Sequence, residues 1–133
     1  MKTTKIYTII LHSFIIIGVG HGIGIMAMFD IASIPNLISG YGFALNGSFS
    51  DKIMSIGLIS LIGKLLLITS FFIKSENYKR VSEIIGVIML WISVYFLTNG
   101  DWIYDSAHEI AFYTSIPFLI SSIVFSVLLV IEI

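Results

Sequence analysis

The stretch Ile6 to Phe29, IYTIILHSFIIIGVGHGIGIMAMF, decides how this chain is read. It contains no Asp, Glu, Lys or Arg. Its length is close to the roughly 20 residues that cross a bilayer core as a helix. Inside it Gly18, Gly20, Gly22 and Gly24 alternate with other residues, and His21 sits among them. Gly18 and Gly22 have helical spacing, as do Gly20 and Gly24, and small residues so placed let membrane helices approach closely. Read this way, the stretch is a first membrane span whose glycine face meets a neighbouring helix.

Composition agrees. The 133 residues are 57% hydrophobic and 11% charged, with a mean hydropathy of +1.03. A soluble domain carries roughly 25% charged residues, so this chain lacks the polar surface to dissolve. The absence of cysteine excludes disulfides, thiolate metal ligands and cysteine nucleophiles. A net charge of −1 gives no basic face for nucleic acid.

Three further apolar runs follow. Ile53 to Ile73 holds one charge, Lys64; Ile84 to Gly100 has none and extends back to about Ser82; Ile110 to Ile131 has none. Ile31 to Ser50 is also uncharged, but Pro35, Asn36, Gly40, Gly42, Asn46 and Gly47 mark it as a loop with room for a short interfacial or re-entrant piece. The expected fold is all-α. It is one domain of four transmembrane helices (about 6–29, 53–73, 82–100 and 110–131) in an up-down antiparallel bundle. Lys2 and Lys5 precede the first span, and Lys74, Lys79 and Arg80 lie between the second and third. This bias puts both termini on the cytoplasmic side of a cell (inner) membrane. A cleaved signal peptide fits less well, because the apolar stretch is long and no small-x-small site follows it.

Small and polar residues form stripes on the other spans: Gly57, Ser60 and Lys64; Gly86, Ser93 and Gly100; His108, Ala111, Ser115, Ser122 and Ser126. Gly57 and Gly86 join the first-span glycines as expected packing positions. A charge within hydrocarbon is a functional-site hypothesis by default. Lys64 lies roughly 16 Å and His21 roughly 12 Å from the outer ends of their spans, and their side chains tilt towards each other. The two form the expected intramembrane polar site, weighed against snorkelling of the lysine. No acid is available to Lys64 on this reading, since Glu83 lies at the cytoplasmic end. Asp30, Asp101, Asp105, His108 and Glu109 ring the outer rim.

Other chemistry finds little support. His12 and His21 are about 180° apart on one helix and cannot serve one iron, which disfavours haem b. No HxxxH or ExxH spacing offers a metal site, no GxSxG a serine hydrolase, and the glycines lie within a span rather than in a phosphate loop. No cofactor is expected, with haem b or a quinone as the alternative.

The layout, and above all GLISLIGKLLLITSFFIKSENYKRVSEIIGVIML from Gly57 to Leu90, resembles the DoxX-like small membrane proteins. There too, a leucine- and glycine-rich helix, a short basic turn and another apolar helix follow in this order. The resemblance implies diverse roles, some as partners of oxidoreductases. The expected function is a non-enzymatic accessory or assembling subunit in the lipid bilayer, with a protein partner or a second copy of itself. The alternatives are a small proton- or ion-coupled transporter using His21 and Lys64, and a membrane anchor of a redox complex.

Overall fold

The structure, a computed structural model, describes residues 1–19, 22–40, 43–45, 49–100, 103 and 106–132. The elements are α1 (Lys2–Ser13), β1 (Ile16–Val19), β2 (Gly22–Ile25), α2 (Met26–Ile38), α3 (Phe49–Thr69), α4 (Glu76–Thr98) and α5 (Ser106–Ile131). Three of them, α3, α4 and α5, are long and apolar enough to cross a membrane. The distribution of polar and apolar side chains is inverted relative to a soluble protein. Ile88, Tyr95 and Ile120 are exposed, whereas Lys5, His12, Asp30, Lys64 and Glu83 are buried. Only a solvent as apolar as lipid makes that arrangement favourable.

The first expected span is not one helix. α1 stops at Ser13, and a two-stranded antiparallel hairpin follows. Its register pairs Ile16 with Ile25, Ile17 with Gly24, Gly18 with Ile23 and Val19 with Gly22. Three of the four pairs thus set a β-branched residue against a glycine. The physical reason is the period of the glycines. Alternation is the two-residue repeat of a strand, and β-branched isoleucine and valine suit strands better than helices. Gly18, Gly22 and Gly24 are therefore strand residues, not one face of a helix. Gly20 lies outside the described residues. Backbone at membrane depth must find partners within the protein. Here the Ile16 N–H donates to Thr114 Oγ1 at 3.0 Å and the Met26 N–H to the Ile15 carbonyl at 2.9 Å.

Part of the expected loop Ile31–Ser50 is helical, since α2 runs to Ile38. Pro35 lies inside it, and one residue further on Asn36 Nδ2 donates to the Ala32 carbonyl at 2.8 Å.

Contacts fix the arrangement. α1 and β1 run along α5 in the opposite sense, with Thr8 against Ser121, Ile16 against Thr114 and Gly18 near Ala107. β2 doubles back, and α2 then packs on α3 with Asp30 beside Lys64 and Asn36 beside Met54. α3 and α4 share the most extensive helix contact. A Cβ at Gly63 would lie 3.0 Å from the Gly86 carbonyl oxygen, and one at Gly86 3.0 Å from that of Gly63. Gly57 is tighter still, because a Cβ there would sit 2.6 Å from the Phe29 carbonyl oxygen of α2. Lys5 meets Glu83, and Arg80 bonds the Glu132 carbonyl. One end of the bundle, the terminal end, therefore carries the start of α1, the α3–α4 turn and the last turn of α5.

Candidate functional site

Three buried polar clusters lie inside the bundle. The first joins α2 to α3: Lys64 Nζ donates to Asp30 Oδ2, and both side chains are almost wholly buried. Asp30 Oδ1 has no hydrogen-bond partner among the described residues. The second joins α1 to α3 and α4. His12 Nε2 is 2.8 Å from Ser93 Oγ, its Nδ1 is 3.4 Å from Ser60 Oγ, and its ring stands edge-on to Phe118 at 4.7 Å. The third lies towards the terminal end. Lys5 Nζ donates to Glu83 Oε1 at 2.5 Å and to Ser70 Oγ at 2.6 Å, and lies 3.9 Å from the centre of the Phe71 ring.

The first two clusters are neighbours, because Ser60 and Lys64 stand one turn apart on α3. Both lie where α1 ends and α2 begins. The chain breaks its helix at the depth where it buries charge. Non-helical backbone there is tolerated only inside protein or beside a cavity, and discontinuous helices are a recurring frame for ion and substrate sites at mid-membrane.

The expected partner of Lys64, His21, lies outside the described residues, and the observed partner is Asp30. That residue is buried, not at an outer rim, because the hairpin returns the chain to mid-bundle before α2 begins. Asp101 and Asp105 lie outside the described residues. His108 is buried too: its Nδ1 lies 2.8 Å from the Leu97 carbonyl oxygen, and its ring packs edge-on to Phe49 at 5.0 Å and against Gly100, where any Cβ would collide with it. Glu109 is half-buried in the first turn of α5. Near His108, Lys52 Nζ donates to the Asn99 carbonyl at 2.6 Å. Lys5, read as one of the basic residues that precede the first span, is one of the most buried side chains, and Glu83 is its partner. Gly57 and Gly86 sit at backbone crossings, whereas a Cβ at Gly18 would make only ordinary contact, 3.9 Å from Ala107 Cβ.

As for metals, no group of three His, Asp or Glu side chains able to hold an ion occurs among the described residues. Both ring nitrogens of His12 are directed at serines, so a ligand there would have to displace a hydroxyl. Against known proteins, the chain matches no family model, no curated protein and no solved structure.

Proposed function

We propose that this chain is a small proton- or ion-coupled membrane carrier whose working site is Asp30, Lys64 and His12. The observation that carries the reading is the Asp30–Lys64 pair, buried at the helix break, whose Oδ1 has no hydrogen-bond partner among the described residues. A pair that served only to staple helices would be expected to have both oxygens satisfied, since an orphaned buried acceptor costs about 1–3 kcal/mol. The free oxygen offers a place for an exchangeable proton or ligand group. Lys64 neutralises the carboxylate in one state and is positioned to be released in another.

On this reading α1 and α2 jointly make a fourth, discontinuous crossing. Their 12 and 13 residues supply roughly 37 Å of helix, against a hydrocarbon core of about 30 Å. The terminal end faces the cytoplasm of a cell membrane, because Lys74, Lys79 and Arg80 gather there. The test is proton flux into liposomes containing purified protein and a trapped pH-sensitive dye, under an imposed potassium diffusion potential. Wild-type protein is expected to carry flux, and Asp30→Asn to reduce it to the level of protein-free liposomes. Wild-type flux equal to that of empty liposomes, or unchanged flux in a folded Asp30→Asn protein, overturns the reading.

A second reading, the accessory subunit, is favoured by one feature. An apolar groove of about 470 Å³ opens on the lipid-facing side of α4, with Val87, Trp91, Tyr95 and Phe96 along it and Ser126 of α5 at its edge. A stoichiometric membrane partner lost on Trp91→Ala substitution would favour it over the carrier.

A further inference from the structure

We infer that a furrow between α4 and α5 holds one acyl chain of an anionic phospholipid, whose phosphate is met by Arg80 at the terminal end. The groove of about 470 Å³ at Trp91 and Tyr95 does not end there. A second hollow of about 240 Å³ adjoins it through Val87, Ile88 and Ser126, and reaches Ile84 and Leu129. A third continues along α5 from Ser126 to Ile131. The three form one furrow on the outside of the bundle. Its ends on α4, Ile84 and Phe96, are 12 residues apart, roughly 18 Å along the axis. One leaflet of hydrocarbon is about 15 Å deep, half of a core of about 30 Å. The furrow therefore has the length of a lipid chain and begins near the terminal surface.

Its walls suit such a chain. Trp91 Nε1 donates to Ser122 Oγ at 2.9 Å, and Ser126 Oγ to the Ser122 carbonyl at 2.8 Å. The indole is thus fixed as a wall, and the hydroxyl is engaged within the protein. The rest of the lining is aliphatic and aromatic. A partner helix is the competing occupant. Membrane helices dock closely where small residues line the contact. On α4 those residues are turned elsewhere: Ser82 and Gly86 face α3, and Ser93 meets His12. The face left to the furrow carries Ile84, Ile88, Trp91 and Tyr95, which keep a helix backbone at a distance.

Arg80 gives the furrow a polar end. It stands four residues before Ile84 on α4, on the same face. Its guanidinium donates to the Glu132 carbonyl, and among the described residues no carboxylate pairs with it. Lys79 beside it is engaged by Glu76. A guanidinium carries five N–H donors in a planar fork that matches phosphate, so one bond to a carbonyl leaves donors for a headgroup. The lipid site does not depend on the carrier reading.

The experiment is native mass spectrometry of the full-length protein, titrated in micelles with phosphatidylglycerol or phosphatidylcholine of identical chains. The wild-type protein is expected to retain one phosphatidylglycerol about fivefold more tightly than phosphatidylcholine, the ratio equivalent to about 1 kcal/mol for one basic residue at an anionic surface. Arg80→Gln is expected to remove that preference. Ile88→Trp, which fills the furrow from a position already exposed to lipid, is expected to release both lipids. Equal retention of the two lipids by the wild type overturns the inference, as does an unchanged preference in Arg80→Gln or unchanged retention in Ile88→Trp. A further measurement needs no substitution at the site. Phosphatidylglycerol brominated near its chain ends is expected to quench Trp91 fluorescence in a Trp102→Phe protein more strongly than brominated phosphatidylcholine does, and equal quenching overturns the inference. A stoichiometric polypeptide retained by the wild type and displaced by Ile88→Trp puts a partner helix in the furrow and overturns it too.

Discussion

Removing either partner of the Asp30–Lys64 pair should be costly, while removing both should not. The two side chains are 5% and 7% exposed, so solvent screens neither. Asp30→Leu leaves a buried ammonium without its carboxylate, and Lys64→Met leaves a buried carboxylate without its ammonium. Breaking a buried pair on one side costs about 3–5 kcal/mol. The double variant buries no charge and also removes the orphaned Oδ1. Swapping a buried pair for apolar residues is often neutral or stabilising by about 1–4 kcal/mol. The two single costs should therefore fail to add, by at least about 3 kcal/mol. Neutral hydrogen bonds between membrane helices couple by only about 0.6 kcal/mol on average, so the two cases are separable. Reversible denaturant unfolding in micelles, followed by circular dichroism, gives the four stabilities. The exposed Glu76–Lys79 pair, one turn apart on α4, is the control and should move stability by less than about 1 kcal/mol. Additive costs at Asp30 and Lys64 would refute a direct buried pair.

Two further predictions test the architecture. Cysteines placed at Ile16 and Ile25 in this cysteine-free chain should form a disulfide on mild oxidation, since the hairpin sets those positions opposite each other at about 4.5–5.5 Å; on one continuous helix they would stand roughly 13 Å apart, and failure to crosslink favours that helix. Gly57→Ala should destabilise the bundle by about 1–3 kcal/mol, because its Cβ meets backbone at 2.6 Å, whereas Gly18→Ala should cost less than about 0.5 kcal/mol; equal effects in thermal unfolding would mean that α2 does not cross α3 at Gly57.

What the sequence makes legible follows from length and charge. The runs at 53–73, 84–100 and 110–131 are long and almost uncharged, and each lies largely within a helix. Their ends are less legible. α4 begins at Glu76 because Glu76 to Arg80 are adequate helix formers, and polarity alone does not stop a helix. The hairpin is hidden by arithmetic. Glycines at every second position necessarily also fall four apart, so one pattern satisfies the strand and the helix-crossing templates. The surrounding isoleucines serve either, and periodicity cannot separate a short buried strand from a buried helix. The separating signal is the pair of β-branched, glycine-alternating runs at 16–19 and 22–25, which are the two strands of the hairpin. The site is lost with the hairpin. On a continuous helix each residue adds about 1.5 Å of depth, which carries Asp30 out of the membrane and strips Lys64 of an acid. Folding residues 16–25 back on themselves cancels that advance and returns Asp30 to the level of Lys64.

The same fold-back explains why the charges lie where they do. A continuous span would move as one rod. Here the rod is cut, and its halves are held by different neighbours. α1 is bound to α5 along its length and to α4 through Lys5 and Glu83. α2 is bound to α3 through the close approach at Gly57 and through Asp30 and Lys64. Among the described residues each half thus has one ion pair to a long helix, Lys5 with Glu83 and Asp30 with Lys64. Neutralising one acid weakens the hold on one half and leaves the other half in place. His12 stands at the cut, bonded to serines of both α3 and α4, where it registers the position of α1 against the pair that holds α2. In the carrier reading, the hairpin is the joint between the halves, and its first strand is tied to α5 where the Ile16 N–H donates to Thr114 Oγ1.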